Sequence, residues 1–390
     1  MKKCRVISHP SQLQEADLYE YRFDRFPFKK EHIRYPCIFT LRPQDQGGSF
    51  EGSARAREKR WHEILSWNPT YRDLEYNAPF SLPGKKLISY HNLEKTPKEL
   101  PIYDKVACKA HSINDALRLL KHGKEHSLLA LAMGEHGLLT RLFAQPWTYV
   151  ADDLITDEEL ALYDITKPLF GLIGGTVHQS PSHRTHNKCG VCYVKMAVQP
   201  EELSEFFQHI HLFKGLSVTI PLKEAVLPFV EADAYAQEVG AVNTILVRDK
   251  LYGYNTDGVG ALDALGSVKG KRVLVFGAGG SAKAVAYEAK KRGGDVAIFN
   301  RTQQKAETLA KILDVSVAAP NAPYDVLINT TPMVPHLIPS TTILDIKLNP
   351  PSYLKEAQKQ NIRVVHAFEM FINQAIEQFK IWFSSEGLAF

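Results

Sequence analysis

The sequence has no window approaching the roughly 18 consecutive apolar residues that a membrane span needs, so no membrane partner is expected. It has only five cysteines, Cys4, Cys37, Cys108, Cys189 and Cys192, an odd and scattered set. That excludes a disulfide framework and suits free thiols in a reducing cytoplasm. Cys189 and Cys192 form one CxxC without a second pair, so small buried residues are the plainer reading and no metal is expected. Lys/Arg-rich runs are lacking and the formal net charge over 390 residues is only +4, which argues against a nucleic-acid partner. The stretch from Met1 to His9 carries two lysines but too few apolar residues for a signal-peptide core, and a cytoplasmic location is expected. Repeats and low-complexity segments are absent as well. What remains is an ordinary globular composition, 44% apolar and 23% charged, in a chain long enough for two or three domains.

Residues 1–165 hold eight short apolar runs bordered by polar residues, at 4–8, 17–22, 36–42, 71–75, 86–91, 105–111, 128–133 and 147–151. Between some of them, 53–67, 113–122 and 156–163 place apolar residues three and four apart, the period of a helix. Eight strands alternating with helices predict an α/β fold with an N-terminal (β/α)8 TIM barrel in reduced form, shorter than the usual ~250 residues. Polar residues recur in or near these runs: Glu20, Arg22, Arg42, Glu75, His91, Lys105 and Arg141. Acids, cations and a histidine gathered at one barrel rim are costly to desolvate without a ligand.

After Lys167 the pattern changes. Strands are expected at 168–173 and 215–220 and a helix at 200–210. A buried strand at 271–276 then runs into Gly277, Ala278, Gly279, Gly280, Ser281 and Ala282, and the alternation continues with 282–292 helical, 295–300 extended, 303–313 helical and 324–329 extended. A glycine-rich turn between a strand and a helix is the context of a Rossmann dinucleotide site. Gly277 permits the tight turn, Gly279 lets backbone approach a pyrophosphate, and Ala282 keeps helix and strand close. An acid at the end of the next strand would accept from a ribose 2′-hydroxyl; this sequence has Asn300, Arg301 and Thr302, with Lys305 a turn later. A guanidinium between neutral hydrogen-bonding side chains suits a 2′-phosphate, so NADP(H) is the expected cofactor.

Several motifs of the second half resemble shikimate dehydrogenase, in the same order. They are Gly215 to Lys223, Ala241 to Thr244, Asn255 to Gly258, the glycine turn, and Asn300 to Thr302, with Ser180 and Ser182 matching the substrate-carboxylate motif. The resemblance covers 168–383 and implies that Lys223 and Asp257 form a catalytic pair. It further implies that Ser180 and Ser182 bind the carboxylate, that Thr219 and Asn243 bind ring hydroxyls, and that Gln374 contacts substrate. Lys223 follows a strand and a proline, and Asp257 is read as sitting in a turn. Two positions depart from the family: Leu348 stands for a tyrosine, which predicts weaker substrate affinity, and Ser217 for an asparagine.

The barrel motifs resemble type I 3-dehydroquinate dehydratase: Asp17 to Asp24, Phe39 to Arg42, Ser89 to Asn92 with Thr96 and Pro97, Asp104 to Ala107, and Met133 to Gly137 with Arg141. That family implies a Schiff base on Lys105, made nucleophilic by desolvation and nearby cations, with His91 as the proton carrier. Glu20 then orients His91 or substrate hydroxyls, and Arg22, Arg42 and Arg141 hold carboxylate and hydroxyls. Lys109 is a rival lysine expected to be inert. Here too there are departures. Gln46 stands where the family has a glutamate, with Glu51 close in sequence, and a substrate-covering loop is missing between Val150 and Leu154.

The expected organisation is a barrel over 1–165, a substrate lobe over 166–267 plus 350–390, and a Rossmann lobe over 268–349. The first reading is a bifunctional enzyme that dehydrates 3-dehydroquinate and reduces the resulting 3-dehydroshikimate to shikimate with NADPH. A second is a dehydrogenase whose degenerate barrel acts as a scaffold. A third, a non-catalytic ligand-sensing regulator, is opposed by the retention of Lys105, His91, Lys223 and Asp257. Oligomeric state, channelling and a side activity on quinate stay open.

Overall fold

The computed structural model describes residues 2–152, 154–318, 323–333, 340–347, 349 and 351–384. Leu348 therefore lies outside the described residues. The chain forms two compact units. One holds residues 1–169 with 178–198 and 204–209, and the other 170–177, 199–203 and 210–390.

All eight strands expected in the first unit form. They are β1 (Lys3–Ile7), β2 (Leu18–Arg22), β3 (Cys37–Thr40), β4 (Tyr71–Glu75), β5 (Lys86–Asn92), β6 (Lys105–Lys109), β7 (Leu129–Met133) and β8 (Thr148–Val150). The sheet order is β7-β6-β5-β4-β3-β2-β1-β8, and every pairing is parallel. From β2 to β7 each strand lies beside its predecessor, and β8 returns beside β1, the strand succession of a (β/α)8 barrel with β7 and β8 at the two ends of the order. Alternation sorts the side chains: Val6 and Ile38 join the interior cluster with Leu87, Ala107 and Leu131, while Ile7 and Phe39 pack outward with Trp61 and Ile64 of the helix Ala54–Leu65. Ser53 caps that helix and Ser112 caps Ile113–His126. The helix expected at 156–163 shrinks to Asp157–Leu160, closed by a reciprocal Thr156–Glu159 capping box. The connections 76–85 and 93–104 contain no helix, which is how the barrel fits into so few residues.

In the second unit, β9 (Leu169–Gly174) pairs in parallel with β11 (Gly215–Val218); the intervening strand, β10 (Cys192–Ala197), belongs to the first unit. The sheet continues antiparallel through β13 (Thr244–Val247) and β14 (Leu251–Tyr254) and ends at β12 (Glu231–Ala232). A second sheet is wholly parallel. Its strands are β15 (Arg272–Phe276), β16 (Asp295–Phe299), β17 (Ser316–Val317), β18 (Val326–Asn329), β19 (Thr342–Asp345) and β20 (Arg363–His366). The order β17-β16-β15-β18-β19-β20 is the doubly wound order of dinucleotide-binding sheets.

Three expectations are corrected. The Rossmann lobe does not stop at 349: β20 pairs with β19 from Thr342↔Arg363 to Asp345↔His366, so the sheet runs through His366. The segment 200–210 is not one helix but a 3₁₀ turn Pro200–Glu202, a single α-turn Leu203–Phe206 and a 3₁₀ stretch Phe207–Leu212. Leu203, Phe206 and His209 are buried at a spacing of three, which three residues per turn satisfy. Asp257 is not in a turn but opens the helix Asp257–Leu265, with its N–H donating to Asn255 Oδ1 at 3.0 Å. No helix among the described residues is long and apolar enough to cross a membrane.

Candidate active sites

A cavity of about 200 Å³ opens in the barrel, lined by Glu20, Arg22, Arg42, His91, Lys105 and Arg141 among others. Six of the seven residues expected at one rim thus meet in one place, and Glu75 does not line the cavity. Arg22 ends β2, Arg42 follows β3 and His91 is near the end of β5, as a barrel site requires, whereas Lys105 opens β6. Lys109 does not line this cavity.

The charges around Lys105 differ from the sequence reading. Its Nζ lies 2.9 Å from Asp73 Oδ2 and 3.9 Å from Glu20 Oε1, over the ring of Tyr149 at 4.5 Å. Asp73 is fully buried and also accepts from Arg42 Nη2 at 2.7 Å and Ser89 Oγ at 2.6 Å. The Arg42 and Lys105 cations, with the Ser89 hydrogen bond, hold its carboxyl well below the usual range despite burial. Asp73 was missed, although two acids at period two in β4, Asp73 and Glu75, were a readable signal of one inward-facing acidic row. Glu75 is tied to Arg57 Nη1 at 2.9 Å. Glu20 accepts from Thr40 Oγ1 at 2.6 Å, so its nearest partner is a hydroxyl.

His91 Nδ1 is 2.9 Å from Arg42 Nη1. A guanidinium can only donate, so Nδ1 accepts and the ring proton sits on Nε2. Burial, then Arg42 and Lys105, push the imidazole well below its ordinary value. His91 is accordingly a neutral base over the physiological range. In an NMR titration of the free enzyme its ring stays neutral well below pH ~6.5, the reference value. Protonation at or above that pH would contradict the burial and cation arrangement.

Gln46 also lines the cavity, and its buried Oε1 has no hydrogen-bond partner among the described residues. Glu51 does not stand in for the missing carboxylate: it accepts from Gln44 Nε2 at 2.9 Å at the exposed surface.

Elsewhere in the first unit, Ser180 Oγ donates to Ser182 Oγ at 2.9 Å. Lys195 Nζ clamps the same loop through the carbonyls of His178 at 2.8 Å and Ser180 at 3.1 Å. Cys189 is exposed and Cys192 buried, and no group of metal-ligating side chains occurs among the described residues.

The second unit gathers the other expected residues. Lys223, in the short helix Leu222–Ala225, donates to Asp257. Asp257 is buried, and its other oxygen accepts from Asn243 Nδ2 at 2.8 Å. The Lys223 charge and hydrogen bonds from Lys223, Asn243 and Ser281 keep its carboxyl below the usual value against the opposing effect of burial. Asn243 is locked in turn: its Oδ1 accepts from Thr256 N–H at 2.9 Å and Thr244 Oγ1 at 2.8 Å. Thr256 Oγ1 reaches Gln374 Oε1 at 3.3 Å, which ties the helix Ala367–Phe383 to this centre. Thr256 was overlooked, although it sits inside a motif the sequence displays. Ser217 bonds Gln378 Oε1 at 3.1 Å, and Gln378 Nε2 donates to the Asn243 carbonyl at 3.2 Å. Thr219 is half-buried; its methyl occupies the space a side chain at Gly174 would need.

The cofactor turn fits a dinucleotide. Gly277 has φ +119°, and a Cβ there would lie 2.3 Å from Thr330 Oγ1. At Gly279 a Cβ would meet nothing within 4 Å, so backbone is open to a pyrophosphate at the start of the helix Gly280–Lys291. Ala282 is buried in the lobe's core and Ala278 packs against it. Asn300, Arg301 and Thr302 follow β16, Arg301 and Thr302 exposed, with Asn300 Nδ2 donating to the Thr302 carbonyl at 3.0 Å and Lys305 exposed beyond.

Comparison with known proteins separates the same parts. Type I 3-dehydroquinase matches residues 7–161, the shikimate dehydrogenase substrate binding domain 172–245, and shikimate/quinate 5-dehydrogenase 260–335. The sequence is 34% identical to the Shikimate biosynthesis protein AroDE of Chlamydia pneumoniae, over 97% of this chain and 95% of that one. The chain belongs to the bifunctional 3-dehydroquinate dehydratase/shikimate dehydrogenase family. The chloroplastic bifunctional enzyme of Arabidopsis thaliana is 30% identical over 97% of this chain and 80% of its own. A Thermus thermophilus shikimate 5-dehydrogenase, solved with NADP(H) and shikimate, superposes with a TM-score of 0.53 at 29% identity, covering 56% of this chain and 94% of that one. Both halves of the bifunctional family are therefore present, and each carries its own cluster of buried charge.

Proposed function

We propose that this chain dehydrates 3-dehydroquinate in its barrel and reduces the product, 3-dehydroshikimate, to shikimate with NADPH in its second unit. The observation that carries the first activity is a buried lysine, Lys105, sharing one cavity with a neutral imidazole and three arginines. Lys105 condenses with the substrate ketone, losing water to form an iminium that acidifies the adjacent carbon. The proton it must shed lies against Asp73. Arg22, Arg42 and Arg141 take the substrate's carboxylate and hydroxyls. As Arg42 turns to the substrate it releases His91 Nδ1, which accepts the carbon-bound proton and later returns one to the departing hydroxyl. Glu20 orients hydroxyls, and Gln46 Oε1 offers a further acceptor to them. Hydrolysis of the iminium frees product and Lys105.

In the second unit the substrate lobe comprises 170–177, 199–203 and 210–267 with the helix of 367–383, and the cofactor lobe 268–366. Gly277 to Ala282 hold the pyrophosphate, and Asn300, Arg301, Thr302 and Lys305 the 2′-phosphate. NADPH supplies the hydride when bound. Lys223 gives a proton to the alkoxide that develops, and Asp257 holds the ammonium in place. Asn243, Thr219 and Gln374 orient ring hydroxyls, and the sequence resemblance assigns the carboxylate to Ser180 and Ser182. These groups set substrate position, so quinate, which shares the carboxylate, is a candidate side substrate.

Purified protein treated with 3-dehydroquinate and borohydride, then digested, is expected to carry a reduced adduct on Lys105. Added 3-dehydroshikimate is expected to consume NADPH. An intact dehydrogenase with neither adduct nor dehydroshikimate absorbance would mean the barrel is a scaffold.

A further inference from the structure

The helix Gly280–Lys291 starts with Ser281 in its first turn, within the glycine-rich turn. A residue there is expected to face phosphate, but the Ser281 hydroxyl is engaged elsewhere. Its Oγ accepts from Lys223 Nζ at 3.1 Å and donates to Asp257 Oδ2 at 3.1 Å. One O–H thus closes a three-membered ring with the ammonium and carboxylate, which also contact each other directly. The neighbouring glycine completes the contact. A Cβ on Gly280 would lie 3.6 Å from Lys223 Cβ and 3.7 Å from Lys223 Cδ, so the lysine stem passes alongside the bare Cα. Two further links dock this helix onto the helices around Lys223: Lys283 pairs with Glu224 at 3.0 Å, and Tyr235 Oη donates to the Ala284 carbonyl at 3.3 Å.

We propose that Ser281 is a positioning residue for ketone reduction, fixing the Lys223–Asp257 pair from within the cofactor turn. The proposal rests on Lys223 and Asp257 being the proton-handling pair. A lysine ammonium on four rotatable bonds has many orientations, and a second acceptor fixes which N–H is left for the substrate. The hydroxyl also gives Asp257 an extra donor, which favours the ionised form that holds Lys223. Because Ser281 belongs to the turn that meets the cofactor, the pair is fully assembled only when that turn is in place. The ionisable groups facing Asp257 are Lys223 and Tyr235, and burial keeps the Tyr235 phenol neutral.

The test is Ser281→Ala, which keeps helix propensity and leaves the backbone N–H groups free for phosphate. NADPH-dependent reduction of 3-dehydroshikimate is expected to fall about tenfold in kcat, the loss expected of one hydrogen bond to a charged group. KM for NADPH should change little. The acid limb of the kcat profile should move up by about half to one pH unit as Asp257 loses a donor. Ser281→Thr, which keeps a hydroxyl, should restore both. An unchanged kcat, a fall in kcat with an unmoved acid limb, or a defect confined to KM for NADPH would each overturn the proposal. The last would return Ser281 to simple cofactor contact. Failure of the underlying assignment is distinct: Lys223→Met would then reduce substrate at the parental rate whatever Ser281 does.

Discussion

Lys105→Met is expected to lower dehydration of 3-dehydroquinate by about four orders of magnitude or more, because it removes the only atom that forms the substrate bond. The readout is dehydroshikimate absorbance, and the borohydride adduct should vanish with it. The substitution also breaks a buried ion pair. Removing one partner of such a pair costs about 3–5 kcal/mol when the other is left unpaired. Asp73 is not left alone, because Arg42 and Ser89 still donate to it, so the loss should fall at or below the lower end. Thermal unfolding of the barrel checks this, and the dehydrogenase rate in the same preparation reports on the second unit. Lys109→Met should leave dehydration near parental. If Lys109→Met abolished the reaction and Lys105→Met spared it, the assignment of the nucleophile would be wrong.

The second large effect is expected at Lys223. Positioned proton transfer contributes about 10²–10⁴-fold to such reactions. Lys223→Met should therefore cut kcat for 3-dehydroshikimate reduction by about 10³-fold, with NADP binding retained. Asp257→Asn should lower kcat as well, since it removes the charge that holds the ammonium and leaves an acceptor oxygen at only one of the two positions to which Asn243 and Ser281 donate. Its effect should shrink when combined with Lys223→Met, because the two groups act as one unit. Fully additive losses in the double variant would show that they act separately. Steady-state NADPH oxidation measures all three.

The strands were readable because their local signals agree. Val6 and Ile7, or Ile38 and Phe39, alternate between two hydrophobic layers, and polar residues bracket each run. The glycine turn was readable because it falls between a strand and a helix, where Gly277 answers a local steric demand and Gly279 leaves the backbone open. What stayed hidden depends on partners distant in sequence. Asp73 looks like an ordinary strand acid until Arg42, just past β3, and Lys105, in β6, arrive beside it. Ser281 reads as a phosphate contact, and nothing local reveals that Lys223, many residues earlier, takes its hydroxyl. The boundary at 349 failed because β20 is a four-residue strand joined to the next helix without a turn. Asp257 was read as a turn residue because the Asn255 side chain does the capping two positions ahead.

That missing turn has a mechanical consequence. β20 ends at His366 and the helix begins at Ala367, so the helix is a stiff continuation of the cofactor sheet. Its far end is fastened to the other sheet, where Trp382 Nε1 donates to the Ile245 carbonyl at 3.1 Å. Midway, Gly260 allows the helix Asp257–Leu265 to press against Gln374, since a Cβ there would come within 2.6 Å of it. The helix is thus a strut clamped at both ends and in the middle. A gape between the two sheets cannot arise by swinging on a slack linker at this crossing; it has to flex or tilt the strut itself, carrying Gln374 with it.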